Sequence, residues 1–493
     1  MIPEEVARRE RLQKIKEDGK NPYPAKANRS HMAQDVLDSF EALEKSNEAV
    51  TVAGRLTAKR KHGGLTFLLL KDTSGTIQTV LHRDAIGTEE YNEFHEESDV
   101  GDFYEFTGTA FRTRKGEPSV QIQTYRLLTK TLLPLPEKWH GLTDIEKRYR
   151  WRYLDLISNE QAMQVAKARS RMVLAIRNFL AEEDFMEVET PVLQPIAGGA
   201  AARPFTTHHN SLDHDFFLRI APELYLKRLL VGGFEKVYEF SRCFRNEGVS
   251  PQHNPEFTQI EGYWAYATID DLLKHIEGMI EAAVKAVTGS LTVEAGEVTL
   301  DFTAPFKRMS FHDAIEKESG IDLDQMPDEE SLRSTLKEKG MHVDDIIGIG
   351  ELIDHLWKTE VRPKMIQPTF ITDYPASMKP LAKVRDDNPN YSEGAQLLVN
   401  GMEVMNAFNE QNDPLAQEAV FEEQERLREQ GSEEAQMVDD DYVKALKHGM
   451  PPAAGYGIGI DRLAMLLTNS PNIKEVILFP TLKPAANKED ETQ

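Results

Sequence analysis

Several stretches of this chain carry residue types that can do chemistry together. In residues 236–265, two runs of β-forming residues, 236–244 and 257–265, flank the polar loop Arg245-Asn-Glu-Gly-Val-Ser-Pro-Gln-His-Asn-Pro-Glu256. That is the pattern of a hairpin with a long connection. Side chains alternate along a strand, so Phe257, Gln259, Glu261 and Tyr263 share one face. The face offers an aromatic ring for stacking and a carboxylate beside a phenol. Arg245, at the mouth of the loop, can fork hydrogen bonds to a phosphate, and His253 can reach another. The plainer reading is a surface hairpin whose arginines and glutamates pair with one another.

A glycine-rich run, Gly455-Tyr-Gly-Ile-Gly-Ile-Asp-Arg462, leads into an apolar helical segment. It lets a ligand approach the backbone, and Arg462 falls in the first helical turn, where the dipole favours an anion. Tight packing explains such glycines equally well. No G-x-x-x-x-G-K-[ST] phosphate loop is present, so a nucleotide would need another architecture. In residues 396–413, Asn400-Gly401 signals a two-residue hairpin turn, pairing 398 with 403 and 396 with 405. Gln396 and Glu403 then share a face, and Glu403 can offer an oxygen to a divalent cation. Asn406, Phe408 and Glu410 have the opposite parity, so all of these meet in one pocket only through a bulge. Solvated residues on an edge hairpin are the alternative. Glu187-Val-Glu-Thr-Pro191 reads as packing or interface, and the small loop Gly198-Gly-Ala-Ala-Ala-Arg-Pro204 allows a substrate to touch backbone around Gly199. Glu223 opens a helix, where an acid ordinarily complements the dipole.

The elements that must position these residues follow from texture and periodicity. Residues 1–48 are polar with weak helical spacing, Val36, Phe40 and Leu43 lying on one helix face. Residues 50–128 hold five short β runs punctuated by Gly63-Gly64, Ser74-Gly75 and Lys115-Gly116, with a helix at 89–98. This suits an OB-fold barrel, a common single-stranded nucleic-acid module. Pro134-Leu-Pro136 breaks the chain, and 135–160 reads as a polar linker. An amphipathic helix then carries Val165, Ala168, Met172, Ile176, Phe179 and Leu180 on one stripe. Mixed strands and helices occupy 161–485. Residues 272–364 read as a largely helical insertion, and 486–493 as a disordered tail. The fold class is therefore α+β, with a barrel at 49–134 ahead of a larger domain. The 493 residues carry a net charge of −24, which argues against nonspecific coating of nucleic acid but leaves room for local basic patches. One cysteine, Cys243, excludes an internal disulfide, and neither a signal peptide nor a long apolar span is evident, so a cytoplasmic protein is expected.

Taken together, these parts resemble the class II aminoacyl-tRNA synthetases. Residues Phe185 to Pro191, Phe244-Arg-Asn-Glu247 with its second strand, and Gly457-Ile-Gly-Ile-Asp-Arg462 match the motifs of that family. Within it the likeness is to the lysine-specific branch of bacterial type. The strings that carry it are Gly198 to Phe205, Ala221-Pro-Glu-Leu-Tyr-Leu-Lys-Arg228, His253-Asn-Pro-Glu-Phe257, Pro368-Thr-Phe-Ile-Thr-Asp-Tyr-Pro375, Asn406 to Asp413 and Leu135-Pro-Glu-Lys-Trp-His-Gly141. The likeness runs from about residue 50 to Pro480. It implies an antiparallel catalytic sheet flanked by helices, a homodimer joined through the first motif, and ATP, L-lysine and tRNA(Lys) as substrates with Mg²⁺ as cofactor. By the same resemblance, Arg245 and Arg462 are catalytic, and Arg245, Glu247, His253, Phe257 and Arg462 bind ATP. Gly199, Glu223, Glu261, Tyr263, Asn406, Phe408 and Glu410 bind lysine, Glu403 and Gln396 hold metal, and Phe67 and Gln78 meet the anticodon.

The chain departs from the family pattern in places. Gln396 stands where a second metal-binding carboxylate is usual and is a weaker ligand. Gln252 stands where an arginine is common, and Thr124 where a carboxylate usually reads the anticodon. Other readings are a paralogue that lysylates a protein, which would lack the barrel, and a non-catalytic RNA-binding derivative, to which only Gln396 points. Aspartate- or asparagine-specific relatives would not be expected to set Glu261 and Glu410 around one side chain.

Overall fold

The computed structural model describes residues 2–136, 142–326, 328–346, 348–379, 381–429 and 437–484. They form two compact units, Met1–Thr143 and Asp144–Gln493.

In the first unit, β1 (Ala49–His62), β2 (Leu65–Lys71), β3 (Thr76–His82), β4 (Phe103–Arg112) and β5 (Pro118–Thr129) close into a barrel in the order β1-β2-β3-β5-β4. Alternation sends Val50, Val52, Leu56, Leu68, Leu70, Val120 and Ile122 inward. β1 pairs with β4 by its first half and with β2 by its second, and a register shift between Leu56 and Ala58 bends it to serve both. The helix Thr88–Glu97 adds Tyr91 and Phe94 to the barrel core. Val36, Phe40 and Leu43 are buried there too, but on separate helices, Ala33–Asp38 and Phe40–Ser46, divided at Ser39. Phe67 and Gln78 project from the barrel's outer face and are half-buried, Gln78 Nε2 donating to Ser119 Oγ at 2.8 Å.

The second unit is built on an eight-stranded sheet. Its strands are β6 (Met186–Glu187), β10 (Lys236–Phe244), β11 (Glu256–Ala265), β14 (Lys307–Ser310), β15 (Thr369–Thr372), β16 (Gly394–Val399), β17 (Met402–Asn409) and β18 (Ala453–Gly459), in the order β14-β15-β16-β17-β18-β11-β10-β6. The interior pairings are antiparallel, and only the outermost ones, β14/β15 and β10/β6, are parallel. β7 (Leu193–Gln194), β8 (Phe205–His209) and β9 (His214–Leu218) form a small sheet, and β12 (Thr292–Ala295) and β13 (Val298–Asp301) a hairpin. The helix Glu160–Glu182 packs its Val165–Met172–Ile176–Leu180 stripe with the helix Ile269–Thr288 against this sheet's apolar side. The opposite side is left for the pocket described below.

Two further segments differ from expectation. The polar stretch read as a linker, 135–160, is helical over Ile145–Arg150 and Arg152–Ser158. Its polarity hides a buried anchor: Arg152 pairs with Asp155 at 2.7 Å and donates to the carbonyls of Lys474 and Leu478. Of the string 135–141, residues 137–141 lie outside the described residues, as does the expected tail 486–493. Nor is 272–364 one helical insertion. Its first helix belongs to the main core, and β14 is an edge of the main sheet. Only from Phe311 onward do helices gather a core of their own, around Leu332, Leu336, Leu352 and Trp357. Amphipathic spacing shows that a helix is buried on one side without showing against what.

The barrel unit holds one fully enclosed ionic knot. Asp102 takes hydrogen bonds from Lys130 Nζ (2.7 Å), Thr131 N (2.8 Å), Thr131 Oγ1 (2.8 Å) and Asp99 N (2.8 Å), and both Asp102 and Lys130 are buried. Asp102→Ala strands the Thr131 and Asp99 donors and leaves Lys130 only Asp99, to which it also donates at 2.6 Å; the expected loss is about 3–5 kcal/mol of barrel stability. Urea unfolding of the full chain reads it; a loss under about 1 kcal/mol would contradict the account.

Candidate active site

A cavity of about 310 Å³ opens between β11, β17, β18 and the start of the helix Glu223–Val231. The period-two reading of β11 holds in space: Phe257, Gln259, Glu261 and Tyr263 all line it. β16 and β17 pair Leu398 with Glu403, as the turn requires, but Gln396 faces Asn406 rather than residue 405. Val404 is the extra residue, and this bulge reverses the parity of everything after it. Glu403, Asn406, Phe408 and Glu410 therefore all reach the cavity, while Met402 and Ala407 enter the core and Val404 and Met405 belong to both the core and the cavity wall.

One end of the cavity is acidic. Glu261 Oε1 accepts from Gln259 Nε2 at 2.6 Å and Oε2 from the Tyr263 hydroxyl at 3.1 Å. Lys227, wholly buried, donates to Glu223 at 2.6 Å and pairs with Glu410. Glu410 is only 1% exposed, and its Oε1 has no partner among the described residues. Glu223 and Glu410 thus share one ammonium and Glu261 lines the same end, a formal excess of two negative charges when all are ionised. Burial, reinforced by Glu223, holds the Glu261 carboxyl well above the usual range. Burial likewise pushes Glu410 up to about 8 against the pull of Lys227. Burial alone would depress the Lys227 ammonium, but Glu223 and Glu410 hold it well above its ordinary value. A cationic ligand fits here, because a buried carboxylate lacking a partner is costly.

Backbone proximity shapes this end. A Cβ on Gly455 would stand 2.5 Å from the Tyr263 ring and against Glu410 Oε1. Gly199, at φ +87°, passes so close to Glu223 that a Cβ would lie 2.9 Å from its side chain.

The other end is basic. The Arg245 guanidinium lies 5.1 Å from the Phe257 ring centroid, with its Nε buried and without a partner among the described residues. The plainer reading of this hairpin applies to its neighbour: Arg242 pairs with Glu256, whereas Arg245 pairs with no acid among the described residues. Arg462, third residue of the helix Ile460–Leu467, donates to the Glu403 carbonyl and lies 2.9 Å from His253 Nε2. Burial and the nearby Arg462, Arg245 and Arg362 lower the His253 imidazole, leaving it neutral. Glu247 lines the mouth and is exposed. Glu403 keeps its carboxylate free of hydrogen bonds among the described residues, so it can serve a divalent cation. Gln396 does not line the cavity, and its Oε1 accepts from the Tyr374 hydroxyl at 2.6 Å. Its place outside the cavity lining, with one lone pair taken by Tyr374, weighs against Gln396 as a metal ligand.

Sequence reasoning passed over Lys227, Arg169, Asp461, Arg362 and Lys379. Asp461 accepts from Arg169 at 2.8 Å and from Thr258 N at 2.8 Å, clamping the helix that carries Arg462 to β11. The i,i+4 spacing of Glu223 and Lys227 was a visible signal of their pairing. Nothing local marks the others, whose partners are distant in the chain.

Comparisons with known proteins agree with this arrangement. A family model for class II tRNA synthetases (D, K and N) matches residues 144–483, and one for OB-fold nucleic acid binding domains matches 50–128. The chain is 48% identical to a lysine–tRNA ligase of Dehalococcoides mccartyi over 99% of both chains. It is 47% identical to one of Carboxydothermus hydrogenoformans over 97% of both, and 48% identical to one of Roseiflexus castenholzii over 96% of this chain and 97% of that one. With an OB barrel ahead of an antiparallel sheet whose pocket is acidic at one end and arginine-rich at the other, the chain belongs to the class II tRNA synthetases, among the lysine–tRNA ligases.

Proposed function

We infer that the protein activates L-lysine with ATP and transfers it to the 3′ end of tRNA(Lys). The observation that carries the reading is one cavity with a carboxylate excess at one end and, at the other, an arginine that pairs with no acid among the described residues. Lysine brings two ammonium groups to the acidic end: Glu223 takes the α-amino group, and Glu261, Tyr263 and Glu410 take the side-chain ammonium. Asn406, Phe408 and the Gly199 backbone complete its walls. Neutral and acidic amino acids leave buried carboxylates without counter-charge and are rejected.

The lysine carboxylate, left facing the basic end, attacks the α-phosphorus of ATP; the bond to pyrophosphate breaks and lysyl-adenylate forms. Arg245 holds the α-phosphate and offsets the charge that develops in line. Phe257 stacks on adenine, with Arg245 over its ring. Arg462 and the neutral His253 meet the terminal phosphates, and Glu247 serves the nucleotide at the mouth. The terminal ribose hydroxyl of tRNA then attacks the adenylate carbonyl, and AMP leaves. No covalent enzyme intermediate is required, so the side chains act by positioning and electrostatics. Mg²⁺, when bound through Glu403, offsets triphosphate charge. The half-buried Phe67 and Gln78 on the barrel surface suit stacking on, and hydrogen bonding to, anticodon bases. A cytoplasmic setting goes with ATP and tRNA as substrates.

A homodimer is part of this reading. Exposed Leu174, Met186, Val192 and Leu193 belong to the helix–strand segment at the β6 edge, which a second copy would cover. Sedimentation at micromolar concentration is expected to give twice the monomer mass, and Met186→Glu to reduce it.

Lysine-dependent ATP–pyrophosphate exchange tests the activity. Exchange is expected with lysine and not with aspartate, asparagine or arginine; none with lysine, from folded protein, would overturn the reading. In Gly455→Ala the added methyl enters the space of Tyr263 and Glu410, raising the KM for lysine by about a hundredfold or more. Because burial pushes the Glu410 carboxyl up to about 8 in the free site, a cation bound beside it favours the carboxylate, and lysine binding draws off protons. Affinity should therefore climb as pH rises toward that value. Calorimetry in buffers of different ionisation enthalpy would show proton release near neutrality; proton uptake would contradict the assignment.

A further inference from the structure

Lys379 has no ion-pair partner among the described residues: burial lowers its ammonium, and Glu403 and Asp354, beyond ion-pair distance, only partly oppose this. Its Nζ donates to Asn406 Oδ1 at 2.8 Å and sits 4.8 Å from the centre of the Tyr374 ring. No carboxylate lies within ion-pair distance among the described residues, and both groups that hold it are neutral. Tyr374 in turn spends its hydroxyl on Gln396, which lies opposite Asn406 on the same face of the sheet, one strand farther out. A carboxylate at 396 would place a negative charge in this group; the amide does not. The Lys379 charge is therefore not taken up by an ion pair among the described residues; Lys379 lies just behind the cavity wall, and Asn406, which holds it, lines the cavity along with Glu403. Arg362 adds a second cation nearby, its Nε buried without a partner among the described residues.

An unpaired cation drawn out of water is costly unless a ligand compensates it. The ligand that the basic end receives is polyanionic. We propose that Lys379 is a fixed cation of the nucleotide site, whose ammonium neutralises phosphate charge beside Glu403 and lowers the number of divalent ions the reaction needs. Gln396 and Lys379 then act together: an uncharged amide at 396 and a resident positive charge at 379. Lys379 acts by binding and positioning, and no proton or covalent bond passes through it. The proposal rests on the ATP reading of the cavity.

The test counts Mn²⁺ by electron paramagnetic resonance on the full-length protein with α,β-methylene-ATP, and measures the analogue's affinity. Lys379→Met is expected to weaken the analogue by about tenfold or more, because a charge-assisted contact is lost. Lys379→Arg should recover most of it, and the double variant Lys379→Ser/Gln396→Glu should bind more Mn²⁺ per site than the parent. Unchanged affinity and Mn²⁺ count in folded Lys379→Met and in the double variant would overturn the proposal while leaving the ATP site intact. Failure of the parent protein to bind the analogue would overturn the ATP reading itself, and the proposal with it.

Discussion

Burial of like charge is the constraint on which the rest of this structure depends. Glu223 and Glu410 converge from a helix and the end of β17 onto one ammonium, Lys227, and Glu261 on β11 lines the same end of the cavity. Carboxylates so placed repel one another in a medium that screens poorly, so they stay together only on rigid supports. The antiparallel sheet supplies that rigidity. Gln259 and the Tyr263 hydroxyl satisfy Glu261 from its own strand, and Gly455 lets β18 pass close enough to seal the floor. What remains unsatisfied, notably Glu410 Oε1, is the part a cationic substrate completes.

The basic end follows a complementary logic. Arginines that must meet phosphate cannot also be tied up in ion pairs, yet they must be held still. The protein separates these demands: Asp461 pairs with Arg169 rather than with its neighbour Arg462, fixing the helix and leaving the guanidinium to the Glu403 carbonyl and His253. Arg245 rests on an aromatic face instead of an acid. A chain with a net charge of −24 thereby presents concentrated positive charge where a nucleotide would bind, and a cavity wall of low polarisability focuses it.

Much of this was legible in the chain itself. β11 announces its face by alternation, because a strand with one side to the core and one to a ligand has no other way to be written. The barrel's five runs and their glycine turns likewise translate into strands, since turn chemistry and period are local properties. The Arg245 loop, Arg462 in the first helical turn and the Asn400-Gly401 turn fall in the same class. The bulge at Val404 does not. Whether one residue loops out is decided by the partner strand, and only the pairing of Gln396 with Asn406 shows that Glu403 and Glu410 reach one cavity.

The sequence by itself thus determined the element types, the faces of isolated strands and, through its motifs, the family. Tertiary structure decided which charges are spoken for. Lys227 and Lys379 are the same residue type, but one is enclosed by Glu223 and Glu410 while the other rests on an amide oxygen and a ring. The polar stretch around Arg152 turned out to be a buried anchor for the same reason. Electrostatic partners are chosen across hundreds of residues, and a one-dimensional pattern carries period and propensity but not the distance between charges.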